Sequence, residues 1–316
     1  MTHGGLFAAT RAAARRFRAG LGLAVVLWLS VTSASASSLR YCDEPAALSA
    51  AQKDRLFRFA AVIKAELDAS GRSVALVSRS GLDLSRFGVR YSHAGVGLQT
   101  GLDTPWAVRQ LYYACDERRP RVFDQGVAGF LLGLNDPGAG FVSVVLLPED
   151  AAATLRDTVL DGRQALRVLG STYSANAYPF SLSYQNCNQW VMEMLAQAWG
   201  ALDHSDGPDA RARAQEWLRA QGYRPTTFDV GWRPLMWVTH FVPWLRQDDH
   251  PADDLAGLLF RVSMPGSIET FVRDTVPAAT RLEFCQADTR VVIHRGWDPI
   301  AEGCVPGEHD TVVMLD

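Results

Sequence analysis

A cysteine at the head of an apolar-periodic run is the residue of this chain best placed for chemistry. Cys187 lies in Tyr184-Gln185-Asn186-Cys187-Asn188-Gln189-Trp190-Val191, after which Met194, Leu195 and Ala198 keep the spacing of one helix face. Gly200 follows where that helix would end. A thiol at a helix N-terminus meets unpaired N–H groups and the positive end of the dipole, which favour a thiolate. The plainer reading of the same stretch is a buried structural cysteine or half of a disulfide.

A thiol nucleophile needs a base, and the base needs an orienting group. His93 is the candidate base, on a small-residue strand predicted over residues 89–98. Gly95 and Gly97 in that strand imply close approach by another backbone or a ligand. A strand predicted over residues 106–115 returns antiparallel about a turn centred near Leu102, which brings Gln110 beside His93. Gln99 and Tyr112 are rivals for the orienting position. An acyl oxyanion would meet the Cys187 main-chain N–H and one side chain from Tyr184, Gln185 or Asn188.

The rest of the chain bears on whether Cys187 is free. Of 316 residues, 48% are hydrophobic and 21% charged, an ordinary globular composition. Residues 1–36 read as a secretory signal: Arg11, Arg15, Arg16 and Arg18, an apolar core over residues 21–31, and the cleavage triplet Ala34-Ser35-Ala36. That core is about 11 residues, short of the about 20 needed to span a bilayer, so no stable transmembrane anchor is expected in the mature chain. The expected location is therefore periplasmic or secreted. Five cysteines in an oxidising compartment leave one unpaired. Cys285 with Cys304, and Cys42 with Cys115, form one of three pairings that would leave Cys187 as the free thiol.

Charge and spacing exclude other classes. Removing the signal takes away four arginines and no acids, so the mature charge is −3 − 4 = −7. No basic stripe for nucleic acid is visible. His240, His250, His294 and His309 lack ligand spacing with acids or cysteines, so no metal is expected. No phosphate-loop pattern is present, and no cofactor is expected.

The elements around these residues are predicted as a helix over residues 48–70 and a strand over 73–79. Residues 120–130 are expected to be mainly loop, followed by a buried strand over 141–147. Helices are predicted near 148–160, 163–169 and 210–220. Residues 226–244 are aromatic and Pro-punctuated, and the C-terminal part reads as strands. The expected organisation is a core domain over residues 37–225 and an aromatic, β-rich extension over 226–316 packed on it.

The order of a histidine strand, Tyr91-Ser92-His93-Ala94-Gly95, before a cysteine helix opened by Asn186-Cys187 resembles the circularly permuted NlpC-type branch of the papain-like superfamily. That branch includes thiol peptidases, amidases and lecithin:retinol-type acyltransferases. More closely, the chain resembles a family of secreted bacterial proteins of unknown function. The shared motifs are Arg90-Tyr91-Ser92-His93-Ala94-Gly95, Trp106-Ala107-Val108-Arg109-Gln110-Leu111-Tyr112, Asp124-Gln125-Gly126 and Gln185-Asn186-Cys187-Asn188-Gln189-Trp190. The resemblance implies an α+β, papain-like core with an antiparallel sheet packed against helices. It implies Cys187 as nucleophile and His93 as base, acting on an amide or ester of an envelope peptide, peptidoglycan or lipid. A binding or structural envelope module that kept the fold and lost turnover is the alternative expectation.

Overall fold

The computed structural model describes residues 48–99, 105–202 and 210–315. Residues 48–70 form the expected helix, α1 (Ala50–Ala69), started by a capping box. The Ser49 hydroxyl accepts from the Gln52 N–H, and Gln52 Oε1 accepts from the Ser49 N–H at 2.9 Å. Its buried stripe is Leu56, Phe59, Ala60, Ile63 and Leu67.

In chain order there follow β1 (Val74–Arg79), β2 (His93–Leu98), β3 (Ala107–Ala114), β4 (Arg119–Gly126), α2 (Val127–Leu131) and β5 (Ala139–Leu146). Next come α3 (Glu149–Leu160), α4 (Gly162–Arg167), α5 (Cys187–Trp199), α6 (Ala210–Ala220), β6 (Thr226–Asp229), α7 (Arg233–Val238) and α8 (Ala252–Ala256). The chain finishes with β7 (Leu259–Val262), α9 (Pro265–Thr275), β8 (Thr280–Ala287), β9 (Arg290–Arg295) and β10 (Thr311–Met314).

Eight strands make one antiparallel sheet in the order β10-β9-β8-β5-β1-β2-β3-β4, and β6 and β7 pair separately. The fold is α+β. Residues 226–316 supply three strands of the main sheet, with β8 pairing along the whole of β5. Residues 120–130, expected to be loop, contain the edge strand β4 and the short α2. The edge position explains the miss. Pro120 is tolerated where no further strand needs its N–H, and Arg119, Arg121 and Asp124 are the charges that keep an edge from pairing with another chain.

Strand side chains alternate between two faces. Ala75 and Val77 of β1, Val108 of β3, Val142 and Val144 of β5 and Phe284 of β8 share one face and pack in one core with Phe59 and Ile63 of α1 and Phe130 of α2. Arg109 points to the other face, where its guanidinium donates to the Val159 carbonyl of α3. Helices α3 and α5 pack on each other in this second layer. Arg281 of β8 also lies on this face and pairs with Glu269 of α9 at 3.0 Å.

Cys285 and Cys304 are disulfide-bonded, which ties β8 to the turn after β9. Cys115 is also disulfide-bonded. Cys42, its expected partner, lies outside the described residues, as do the residues expected to form a signal segment and the turn expected at Leu102. No helix of the described residues is long and apolar enough to cross a membrane.

Candidate functional site

Cys187 is the first residue of α5 and is the free cysteine of the described residues. Asn186 caps the helix, its side-chain oxygen accepting from the Gln189 N–H at 2.7 Å. Its amide nitrogen donates to the carbonyls of Ala175 at 3.2 Å and Ser263 at 3.4 Å, which fixes the entry of the chain. Every residue from Cys187 to Ala198 is buried, so the polar ones must find partners inside. Glu193 is paired with Arg211 at 2.9 Å and also accepts from Gln185, Gln189 and Gln215.

His93 opens β2. The β1–β2 ladder is continuous up to Arg79↔His93, whereas the β2–β3 ladder stops at Val96↔Arg109. The first residues of β2 are therefore paired on one side alone. Gly95 sits in this stretch because a Cβ there would come within 2.6 Å of Val108 Cγ1 and 2.9 Å of the Arg109 carbonyl oxygen. His93 and Gln110 project to the face covered by α1 and α2. His93 Nε2 is hydrogen-bonded to Gln110 Oε1, and the ring lies 5.8 Å from the Phe130 ring. Gln110 Nε2 in turn donates to Gln125 Oε1 at 2.8 Å. His93 Nδ1 makes no hydrogen bond among the described residues.

The imidazole thus projects to the α1–α2 face and the thiol helix lies in the layer on the opposite face, and the two are linked at one end of the sheet. Asn188, next to Cys187, donates through Nδ2 to the carbonyl of Ser92, next to His93, at 3.1 Å. No hydrogen bond joins Cys187 to His93. Both are buried, at 6% and 8% exposed.

Burial keeps both groups neutral. It pushes the Cys187 thiol up to about 11, against the Arg79 charge, the main-chain N–H groups of Asn188 and Cys187, and the Tyr173 hydroxyl, all of which favour the thiolate. Burial, helped by Arg79, lowers His93 to about 3, against its bond to Gln110. The two values leave the proton on sulfur at rest. Both groups feel the same Arg79 guanidinium, which lies 5.3 Å from the Phe130 ring centre.

The three side chains expected as oxyanion donors are engaged elsewhere. The Tyr184 hydroxyl donates to Asp248 at 2.8 Å, Gln185 Nε2 to the Val168 carbonyl and Glu193, and Asn188 Nδ2 to Ser92. The donors that do reach the sulfur are main-chain N–H groups and Tyr173, whose ring stacks on Tyr113 with centroids 5.1 Å apart. Of the rivals to Gln110, Tyr112 is half-exposed beside Phe123, and Gln99 lies past the far end of β2. Sequence reasoning missed Tyr173 and Arg79. Tyr173 sits in an irregular segment with no periodicity to place it, and Arg79 is brought to His93 by strand register alone. Among the described residues there is no group of three potential metal ligands.

A model of a protein family described as "Uncharacterized protein conserved in bacteria (DUF2145)" matches residues 66–272. The chain belongs to this family. The DUF2145 match takes in His93, Gln110, Gln125, Tyr173 and Cys187, and runs without a break through residues 225 and 226. No curated protein and no solved structure matches the chain.

Proposed function

We propose that this DUF2145 member is an exported thiol hydrolase or acyltransferase that forms a thioester on Cys187. Its substrate class is an amide or ester of an envelope peptide, a peptidoglycan stem or a lipid. The observation that carries the reading is the Asn188–Ser92 bond. It tethers the thiol helix to the residue before His93, whose Nε2 is held by Gln110. The finer fold reading, a permuted NlpC-type papain-like core, draws support from the histidine strand preceding the cysteine helix. The Cys285–Cys304 disulfide supports export.

In this mechanism both groups start neutral. His93 takes the Sγ proton, and the sulfur attacks the carbonyl carbon. The N–H groups at the start of α5 receive the oxyanion, and imidazolium returns its proton to the leaving amine or alkoxide. Water or an acceptor then releases the acyl group. Gln110, anchored by Gln125, holds the ring throughout.

A second reading has its own support. A thiol near 11 that lacks a hydrogen bond to His93 fits an envelope module of the same fold without turnover. An activated acyl ester offered to the mature protein separates the two. The enzyme reading expects a mass increment on Cys187, lost in Cys187→Ser and slowed about 100-fold or more in His93→Ala. Absence of the increment, or indifference to His93→Ala in a variant that still melts cooperatively, favours the module.

A further inference from the structure

Between β6 and β7 the chain exposes large apolar side chains at unusual density. Trp232 is 64% exposed, Trp237 63%, Phe241 66% and Val238 46%. Trp237 and Phe241 are one helical turn apart and pack edge to face with centroids 4.8 Å apart. The underside of the same segment is anchored. Met236 is buried in a small core with Phe228, Val230, Phe260, Val262 and Met264, and Leu235 packs against it. Gln247 Nε2 donates to the Met236 carbonyl at 2.7 Å and to the Thr239 hydroxyl at 2.5 Å. The rings are therefore held outward by a fixed base.

The charged side chains within the segment itself are arginines, and the acids Asp229, Asp248 and Asp249 lie just outside it. Residues 230–247 contain no Asp or Glu and carry Arg233, His240 and Arg246, in a chain with 34 acids and 31 lysines and arginines. Arg233, His240 and Arg246 are exposed. Indole and phenyl rings in a segment with exposed arginines suit the interface of a bilayer, where rings sit at headgroup depth and arginines meet phosphates.

We propose that residues 232–241 are a docking surface for an anionic phospholipid bilayer. The proposal stands whether or not Cys187 turns over an acyl group. It also sets the orientation of the protein. The Trp244 carbonyl accepts from the Ala175 N–H at 2.8 Å, and the Arg246 carbonyl accepts from Asn176 at 2.7 Å. These bonds join the segment to the loop that leads into Cys187, so docking brings that loop towards the lipid surface.

Flotation of the mature protein with vesicles tests this, using phosphatidylcholine alone against phosphatidylcholine with phosphatidylglycerol. The expected result is flotation with the anionic vesicles, weakened by salt. Trp237→Ser with Phe241→Ser is expected to cut partitioning roughly tenfold or more. Arg233→Ala is expected to cut it roughly fivefold. Both variants alter exposed side chains, and an unchanged thermal melt shows that each is folded. Failure to float with either vesicle overturns the proposal. So does flotation that the folded variants leave unchanged. Light scattering that finds a dimer dispersed by the double variant, with no flotation, assigns the surface to a second copy of the chain and overturns it as well.

Discussion

The two faces of the main sheet are held by different forces. On the α1 side the contacts are apolar, with Phe59, Ile63, Phe130, Val77, Val144 and Phe284 in one core. The His93–Gln110–Gln125 chain of side-chain bonds is a polar inclusion there. On the other side buried charges do much of the joining. Arg281 pairs with Glu269 and with Glu283, which also accepts from Arg90 and the Tyr91 hydroxyl, and Glu193 pairs with Arg211. Apolar packing is non-directional and tolerates small shifts. Buried ion pairs are directional and costly to leave unmade. The directional contacts sit where position matters for the site. Arg211 donates to the carbonyls of Leu182 and Tyr184, each at 3.0 Å, and so holds the segment leading into Cys187. Arg90 and Tyr91 hold the approach to His93 through Glu283.

Glu193→Ala puts this contrast under the strongest strain. It strands the Arg211 charge in the interior, and unfolding in denaturant is expected to show a loss of about 3–5 kcal/mol. The native protein is also expected to alkylate faster at Cys187, because the segment leading into it loses its clamp. A loss under about 1 kcal/mol would remove the distinction between the faces.

On the apolar side, Phe59→Ala is expected to cost about 3–5 kcal/mol, while Phe59→Leu with repacking costs less than about 1.5 kcal/mol. Neither is expected to change the alkylation rate of the folded population. A rise in that rate without global unfolding would show that the two faces are coupled.

The neutral site makes stability depend on pH at both ends. His93 is lowered to about 3 in the folded chain, so the unfolded chain binds its proton first on acidification. Stability is expected to fall as pH drops below about 6.5, by up to about 1.4 kcal/mol per pH unit from this group. In His93→Gln that part of the slope disappears. Cys187, raised to about 11, retains its proton in the folded chain after the unfolded chain has lost it. Stability is therefore expected to fall as pH rises from about 8.5 towards 11, and Cys187→Ser to flatten this limb. An acid limb unaltered by His93→Gln would mean that the ring titrates normally in the native state.

Tyr173→Phe has the smallest expected effect. It removes one donor to sulfur at a cost of about 1 kcal/mol and moves the alkylation midpoint of Cys187 upward. A downward shift would show that Tyr173 does not stabilise the thiolate.

Much of the local structure was legible because its signals lie within a few residues. The helical period marked the start of α5 and the extent of α1. Alternation over residues 106–115 placed Gln110 on a strand next to that of His93, and the glycines of β2 announced a close backbone. Charged β4 hid its strand character because an edge needs no apolar alternation to be paired. The Pro-rich run after residue 226 obscured that the chain returns to complete the central sheet.

The sequence by itself determined a cysteine at a helix start, a histidine and a glutamine on adjacent strands, and an odd thiol among five cysteines. Spacing and turn chemistry are local, and residue counts need no coordinates. The tertiary structure alone decided which face each side chain occupies, which donors are already spent, and how far burial drives the two proton affinities apart. Those depend on strand register and on segments far apart in the chain, such as Arg79, Tyr173 and Ser92, arriving at the same end of one sheet. Desolvation is a property of the assembled layers, and no spacing of residues encodes it.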